Sequence, residues 1–213
     1  MNLKHKQLPN MVTMLRFVLA CVFFLILNQY RYLPHGKSVH PGCLWAALIV
    51  FVIAAISDAV DGHLARKWNV ESTFGRIMDP FCDKFLIVGA LIYLAGPRFI
   101  DPNVQNPGVM VTGFYPWMVA LMLGRELLVT GIRGELEGQG IAFGANIFGK
   151  LKMVLQSAAV PLVLFFVWLD PHDSDHQWVR IARDTLVYAT VIVTVISGLP
   201  YIKQAFAVMK KRH

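Results

Sequence analysis

Ser57-Asp58-Ala59-Val60-Asp61-Gly62-His63-Leu64-Ala65-Arg66 continues one apolar run, and Gly75-Arg76-Ile77-Met78-Asp79-Pro80-Phe81-Cys82-Asp83 opens the next. Asp58 and Asp61 are three apart and Asp79 and Asp83 four apart, so on helices each pair shares a face. Like charges so placed repel one another, and a charge beside hydrocarbon is costly in itself. The arrangement therefore calls for a compensating cation. Oxygen ligands alone favour a hard ion such as Mg²⁺, Mn²⁺ or Ca²⁺. His63 and Cys82 lack partners of their own kind to suggest zinc and read as packing residues. Asp79 before Pro80 also reads as an ordinary helix start, an N-cap followed by proline at the first helical position. Asp83 has no such explanation, because Lys84 beside it does not face it on a helix.

Outward from this stretch the chain is apolar. Of 213 residues 56% are hydrophobic and 15% charged, well below the roughly 25% charged of a soluble domain. Six apolar runs recur, at 12–28, 43–57, 80–95, 115–130, 147–169 and 180–208, the second continuing as polar helix to about Arg66. Runs of about 20 apolar residues suit a hydrocarbon core of roughly 30 Å. The expectation is an all-α polytopic bundle of about six transmembrane helices, forming a single domain over 1–213. Lys4 and Lys6 before the first run imitate a secretory signal, but Arg16 interrupts it and no small-residue cleavage pattern follows. It is expected to be a retained helix.

With six spans, Lys4, Lys6, Arg66, Lys67, Arg76, Lys84, Arg133, Lys150, Lys152, Lys203, Lys210, Lys211 and Arg212 collect on one side. Arg31, Lys37, Arg98, Arg180 and Arg183 fall on the other, diluted by Asp101, Asp170, Asp173, Asp175 and Asp184. Cytoplasmic flanks carry the basic excess, so both termini are expected in the cytoplasm. The net charge of +7 is spread over helix ends rather than gathered into a nucleic-acid surface, and fits anionic membrane lipids better. Cys21, Cys43 and Cys82 offer neither a disulfide framework nor a CxxC pair. The stretches 30–42 and 96–113 carry Pro and Gly and read as exterior loops, and 133–146 reads as a polar cytoplasmic loop.

Gly62 lies four after Asp58, Ala65 four after Asp61 and Gly75 four before Asp79, small residues that leave room for a ligand against the backbone. The whole pattern, Asp58-x2-Asp61-Gly62-x2-Ala65-Arg66-x8-Gly75-x3-Asp79-x3-Asp83, resembles position for position the signature of the CDP-alcohol phosphotransferases. That resemblance implies a six-helix membrane fold, a CDP-linked lipid donor and two divalent cations, Mg²⁺ or Mn²⁺. It assigns metal binding to Asp58, Asp61, Asp79 and Asp83, with Asp83 also the catalytic base. Gly62, Ala65, Arg66 and Gly75 would border the CDP-lipid. A homodimer and a site facing the cytoplasm from the cell inner membrane are further expectations from the family.

Pro9-Asn10-Met11-Val12-Thr13-Met14-Leu15-Arg16 resembles the start of bacterial phosphatidylglycerophosphate synthases, as do Gly124-Arg125-Glu126-Leu127-Leu128-Val129-Thr130-Gly131-Ile132-Arg133 and Gly149-Lys150-Leu151-Lys152. This implies CDP-diacylglycerol as donor and glycerol 3-phosphate as acceptor. Asn10 and Thr13 would touch the CDP-lipid, or else, with Arg16, anchor the first helix.

An anionic acceptor also suits the residues themselves. Arg125 and Arg133, with Lys150 and Lys152, are expected on the aspartate side, where arginine offers bidentate phosphate contacts and lysine a point charge. Arg125 lies inside an apolar run, with Glu126 beside it to neutralise the region. The segment 144–150 imitates a P-loop, but Leu151 stands where Ser or Thr should bind metal and no strand precedes it. It reads as a helix start. Competing readings are the same chemistry with phosphatidylglycerol or inositol phosphate as acceptor, or a cation transporter. Against the transporter, no internal repeat is visible and the acids cluster at one surface.

Overall fold

A computed structural model describes residues 3–34, 38–68, 73–102, 108–140, 147–169 and 177–210, with side chains for all of these except 3–10, 12, 58–68, 73–77, 79–80 and 209–210. The chain is mostly helical. Its helices are α1 (Leu3–Gln29), α2 (Gly42–Trp68), α3 (Thr73–Leu94), α4 (Pro116–Gly138), α5 (Ile147–Leu169), α6 (Gln177–Ile196) and α7 (Leu199–Lys210).

Two apolar faces on one helix explain the low charge. In α2, Ala47, Phe51 and Ala54 are fully buried, whereas Ile49, Ile53 and Ile56 point outward and are about half exposed. Both sets follow i, i+4, i+7 spacing, so α2 is apolar on its inner and its outer side, as a helix needs to be when neither face meets water. Two stretches are long and apolar enough to cross a membrane, Ile147–Leu169 and Gln177–Val208, and Thr13–Gln29 and Gly42–Ser57 are shorter apolar segments.

In the interior α1 packs on α2 and α3, α5 on α2 and α6, and α4 on α6 and α7. Ala20, Ala47, Ala54, Ala90 and Ala159 are buried, and such small side chains let helix backbones approach closely. The remaining space is filled by rings. Phe24 stacks on Tyr93 with centroids 5.2 Å apart, and Phe17 stacks on Phe85 at 5.3 Å.

Four expectations are corrected. Helix α3 begins at Thr73, so Pro80 lies within it and Asp79 is not an N-cap. The polar loop expected from 133 onward is helical as far as Gly138, because α4 runs on with Arg133 and Glu137 paired one turn apart. The last apolar run is two helices, broken at Ser197–Gly198, where the Gly198 carbonyl accepts from the Tyr201 and Ile202 amides and starts α7. The all-α reading also omits a small hairpin, β1 (Arg31–Tyr32) with β2 (Ser38–Val39), in register Arg31 to Val39.

The described parts of 96–113 are more than a loop. Phe99, Met110 and Val111, with the adjoining Phe114, belong to the core. A 3-10 turn at Pro97–Phe99 brings the Phe99 ring to 5.1 Å from that of Tyr30. The Thr112 hydroxyl donates to the Leu94 carbonyl, and Arg183 Nη1 donates to the Val111 carbonyl at 2.6 Å. This ties the end of α3 and the start of α4 to α6.

Candidate active site

At the opposite end of the bundle, four helices surround a cavity of about 430 Å³. From α3 come Asp83, Lys84, Ile87 and Val88. From α4 come Arg125, Glu126, Val129, Thr130 and Arg133, whose spacing places them on one face. From α5 come Gly149, Lys150, Lys152, Met153 and Gln156, and from α7 Tyr201. The structure thus brings Asp83, Arg125, Arg133, Lys150 and Lys152 around one cavity, as the sequence expects of their side of the bundle.

Glu126 organises the cations. Its Oε1 accepts from Arg125 Nη1 at 3.0 Å and also from Lys152 Nζ. Arg125 and Lys152 come from different helices, and the shared carboxylate oxygen holds their charges side by side. On its other edge Arg125 Nη2 donates to the Ser197 hydroxyl at 2.8 Å. Its Nε is buried with no hydrogen-bond partner among the described residues. A guanidinium carries five N–H donors, and with Nε buried, one N–H on each terminal nitrogen is left uncommitted by the bonds above.

Arg133 Nη2 donates to the Tyr201 hydroxyl at 3.3 Å, and its guanidinium lies 5.6 Å from the Tyr201 ring centroid, within cation–π range. Lys84 Nζ donates to Thr130 Oγ1 at 2.6 Å, linking α3 to α4. Gln156 Nε2, buried in the apolar α5, donates to Thr194 Oγ1 of α6 at 3.3 Å. Five cationic side chains and two carboxylates therefore line the cavity. Oriented guanidinium and ammonium donors with a positive excess suit a small phosphorylated molecule.

Of the other expected site residues, all but Thr13 are placed by backbone alone. Asp58, Asp61, Gly62, Ala65 and Arg66 lie in the last turns of α2, and Gly75 and Asp79 in the first turns of α3, so each aspartate pair is helical as expected. Their side chains, and that of Asn10 in α1, lie outside the described residues. Thr13 and Arg16 are each about 1% exposed and face the interior of the bundle. Among the described residues no group of three acidic, histidine or cysteine side chains is placed to hold a metal. Asp83, the described member of the acidic set, opens onto the cavity. An all-oxygen donor set on two consecutive helices fits a hard divalent cation.

Sequence reasoning passed over Lys84, Thr130, Gln156, Ser197 and Tyr201. Ser197 and Gln156 carried a faint signal, being polar residues inside apolar runs. Tyr201 carried none, since its place depends on the break before α7.

Residues 6–196 match the family described as CDP-alcohol phosphatidyltransferase. A CDP-diacylglycerol–glycerol-3-phosphate 3-phosphatidyltransferase of Bacillus subtilis (strain 168) is 32% identical over 208 residues, covering 96% of this chain and 97% of the relative. A probable phosphatidylglycerophosphate synthase of Mycobacterium tuberculosis (strain H37Rv) is 32% identical over 200 residues, covering 93% of this chain and 81% of the relative. A CDP-diacylglycerol–glycerol-3-phosphate 3-phosphatidyltransferase of Escherichia coli (strain K12) is 28% identical over 208 residues, covering 94% and 96%.

Proposed function

Because the chain belongs to the CDP-alcohol phosphatidyltransferase family, we propose that it transfers the phosphatidyl group from CDP-diacylglycerol to glycerol 3-phosphate, giving phosphatidylglycerol phosphate and CMP. The observation that carries a phosphate-bearing acceptor is the cavity in which Arg125, Arg133, Lys150 and Lys152 meet beside Asp83, and the names of the relatives favour glycerol 3-phosphate over inositol phosphate. A neutral alcohol has no use for four cations, whereas a phosphate monoester does.

The four cations hold the acceptor phosphate and bring its hydroxyl toward the Asp83 carboxylate. Asp83 accepts the hydroxyl proton as the oxygen attacks the lipid-linked phosphorus. A new P–O bond forms there, the bond to the CMP phosphate breaks, and CMP leaves. Asp58, Asp61, Asp79 and Asp83 would hold two divalent cations, Mg²⁺ or Mn²⁺, whose chemistry is to neutralise the diphosphate and the departing oxygen. Gly62, Ala65, Arg66 and Gly75 border the nucleotide of the donor, with Asn10 and Thr13 on the α1 side.

The reading includes six spans with both termini in the cytoplasm, a cavity opening to the cytoplasmic face of the cell inner membrane, a single domain and a homodimer. The basic residues at the cavity end support the orientation, since positive flanks stay inside.

The test is CMP release by purified protein in detergent, given CDP-diacylglycerol and Mg²⁺ or Mn²⁺. Acceptors are glycerol 3-phosphate, inositol phosphate, serine and phosphatidylglycerol in turn. Release with glycerol 3-phosphate alone is expected. Release only with another acceptor would discard the acceptor assignment, and silence with all four, together with cation flux in vesicles, would favour a transporter.

A further inference from the structure

The break between α6 and α7 sits directly behind the cationic cavity. Ser197 is fully buried, and its hydroxyl donates its single proton to the Thr194 carbonyl at 2.7 Å. With that proton committed, Ser197 Oγ faces Arg125 as an acceptor, taking the Nη2 hydrogen at 2.8 Å. Glu126 takes Nη1 on the other side at 3.0 Å. The guanidinium is gripped at two points, so its plane is fixed before any ligand arrives, and a long flexible side chain loses most of its freedom in advance.

Gly198 has a different part. A Cβ there would lie 3.1 Å from Arg125 Cγ, 3.4 Å from Arg125 Nε and 3.3 Å from the Val195 carbonyl. With a methyl there, the arginine stem would have to give way by a few tenths of an ångström in its course past the α6 terminus. The Gly198 carbonyl also starts α7, which delivers Tyr201 to Arg133.

We propose that the Ser197–Gly198 elbow is a positioning element of the acceptor site, acting through Arg125 to set how tightly the phosphate of the acceptor is held. The proposal rests on the phosphatidyl-transfer reading above and extends it to residues that touch neither donor nor acceptor. Arg125 contacts the phosphate alike before and during reaction, so a loosened Arg125 weakens acceptor binding more than turnover.

Ser197→Ala, Gly198→Ala, Arg125→Lys and the double variant Ser197→Ala/Arg125→Lys are compared with wild type for CMP release, with each substrate varied in turn. Ser197→Ala is expected to raise KM for glycerol 3-phosphate about tenfold, the lower end of what a hydrogen bond to a charged group contributes. Gly198→Ala is expected to act in the same direction. KM for CDP-diacylglycerol and kcat stay near wild type. In the Arg125→Lys background Ser197→Ala adds little, since residues acting as one unit are not additive. Unchanged acceptor KM in both single variants overturns the proposal. So do equal losses for both substrates, or effects that multiply with Arg125→Lys. Should Ser197→Ala fail to fold, Gly198→Ala decides. Wild-type protein that releases no CMP with glycerol 3-phosphate sinks the underlying reading as well, a result distinct from an active wild type with indifferent variants.

Discussion

Replacing Glu126 with Gln keeps the size of the side chain and removes the charge that joins Arg125 to Lys152. The three side chains are 9–12% exposed, so the charges left behind are poorly served by water. Breaking a sealed ion pair from one side costs about 3–5 kcal/mol, and a hydrogen bond to a charged group contributes about 1.5–3 kcal/mol. The cavity is open to ligand and glutamine retains one acceptor oxygen, which places the expected loss near the lower figures, at about 2 kcal/mol. At roughly 2–4 °C per kcal/mol for a chain of this length, the midpoint of thermal unfolding falls by about 4–8 °C. An anionic ligand would supply the missing negative charge. Glycerol 3-phosphate is therefore expected to raise the Tm of Glu126→Gln more than that of wild type. The assay is thermal unfolding in detergent, with and without the acceptor. A variant that melts with wild type, or one that the acceptor stabilises no more than wild type, would refute Glu126 as the carboxylate that holds the cluster together.

Three further outcomes are expected. Asp83→Asn should lower CMP release at least about a hundredfold, the smaller end of what a general base contributes, while retaining CDP-diacylglycerol binding in a direct binding assay. Chelation of divalent cations should abolish turnover, and readdition of Mg²⁺ or Mn²⁺ should restore it in the same CMP assay. Gly113→Ala should lower stability by about 2 kcal/mol, because Gly113 has φ of +73° and a Cβ there would meet Asp184 Oδ1 at 2.8 Å. That site lies at the far end of the bundle, so CMP release per folded molecule should stay at the wild-type level, read alongside the melting curve.

The parts of the fold that follow from local periodicity are legible in the sequence. The doubled stripe of α2, with Ala47, Phe51 and Ala54 inside and Ile49, Ile53 and Ile56 outside, is written in the chain as an unbroken apolar run. Arg125, Arg133, Lys150 and Lys152 could be assigned to one side of the bundle because loops and charges alternate along the chain. Pro80 misled because proline most often opens a helix, and here the helix had begun seven residues earlier at Thr73. The stretch 96–113 misled in the other direction. Its Pro and Gly signal turns, yet Phe99, Met110 and Val111 belong to the core, and the Thr112 and Arg183 bonds hold their part of the chain there.

What stayed hidden in the site has a common cause. Glu126 reaches Lys152 across 26 residues, and Arg125 reaches Ser197 across 72. No local spacing encodes such pairs, because they depend on how α4 crosses α5 and on where α6 stops. The chain does record where burial and polarity disagree. Glu126, Gln156 and Ser197 each interrupt an apolar run, and each is hydrogen-bonded to a neighbouring helix. A polar group in such a run must find a partner or bear the cost of desolvation. Around the proposed acceptor cavity, these partners would also orient the binding groups. On the proposed reading, the same bonds that satisfy buried polar atoms between helices would also hold Arg125 and Lys152 in place for the acceptor, so that packing and acceptor recognition would share one set of residues.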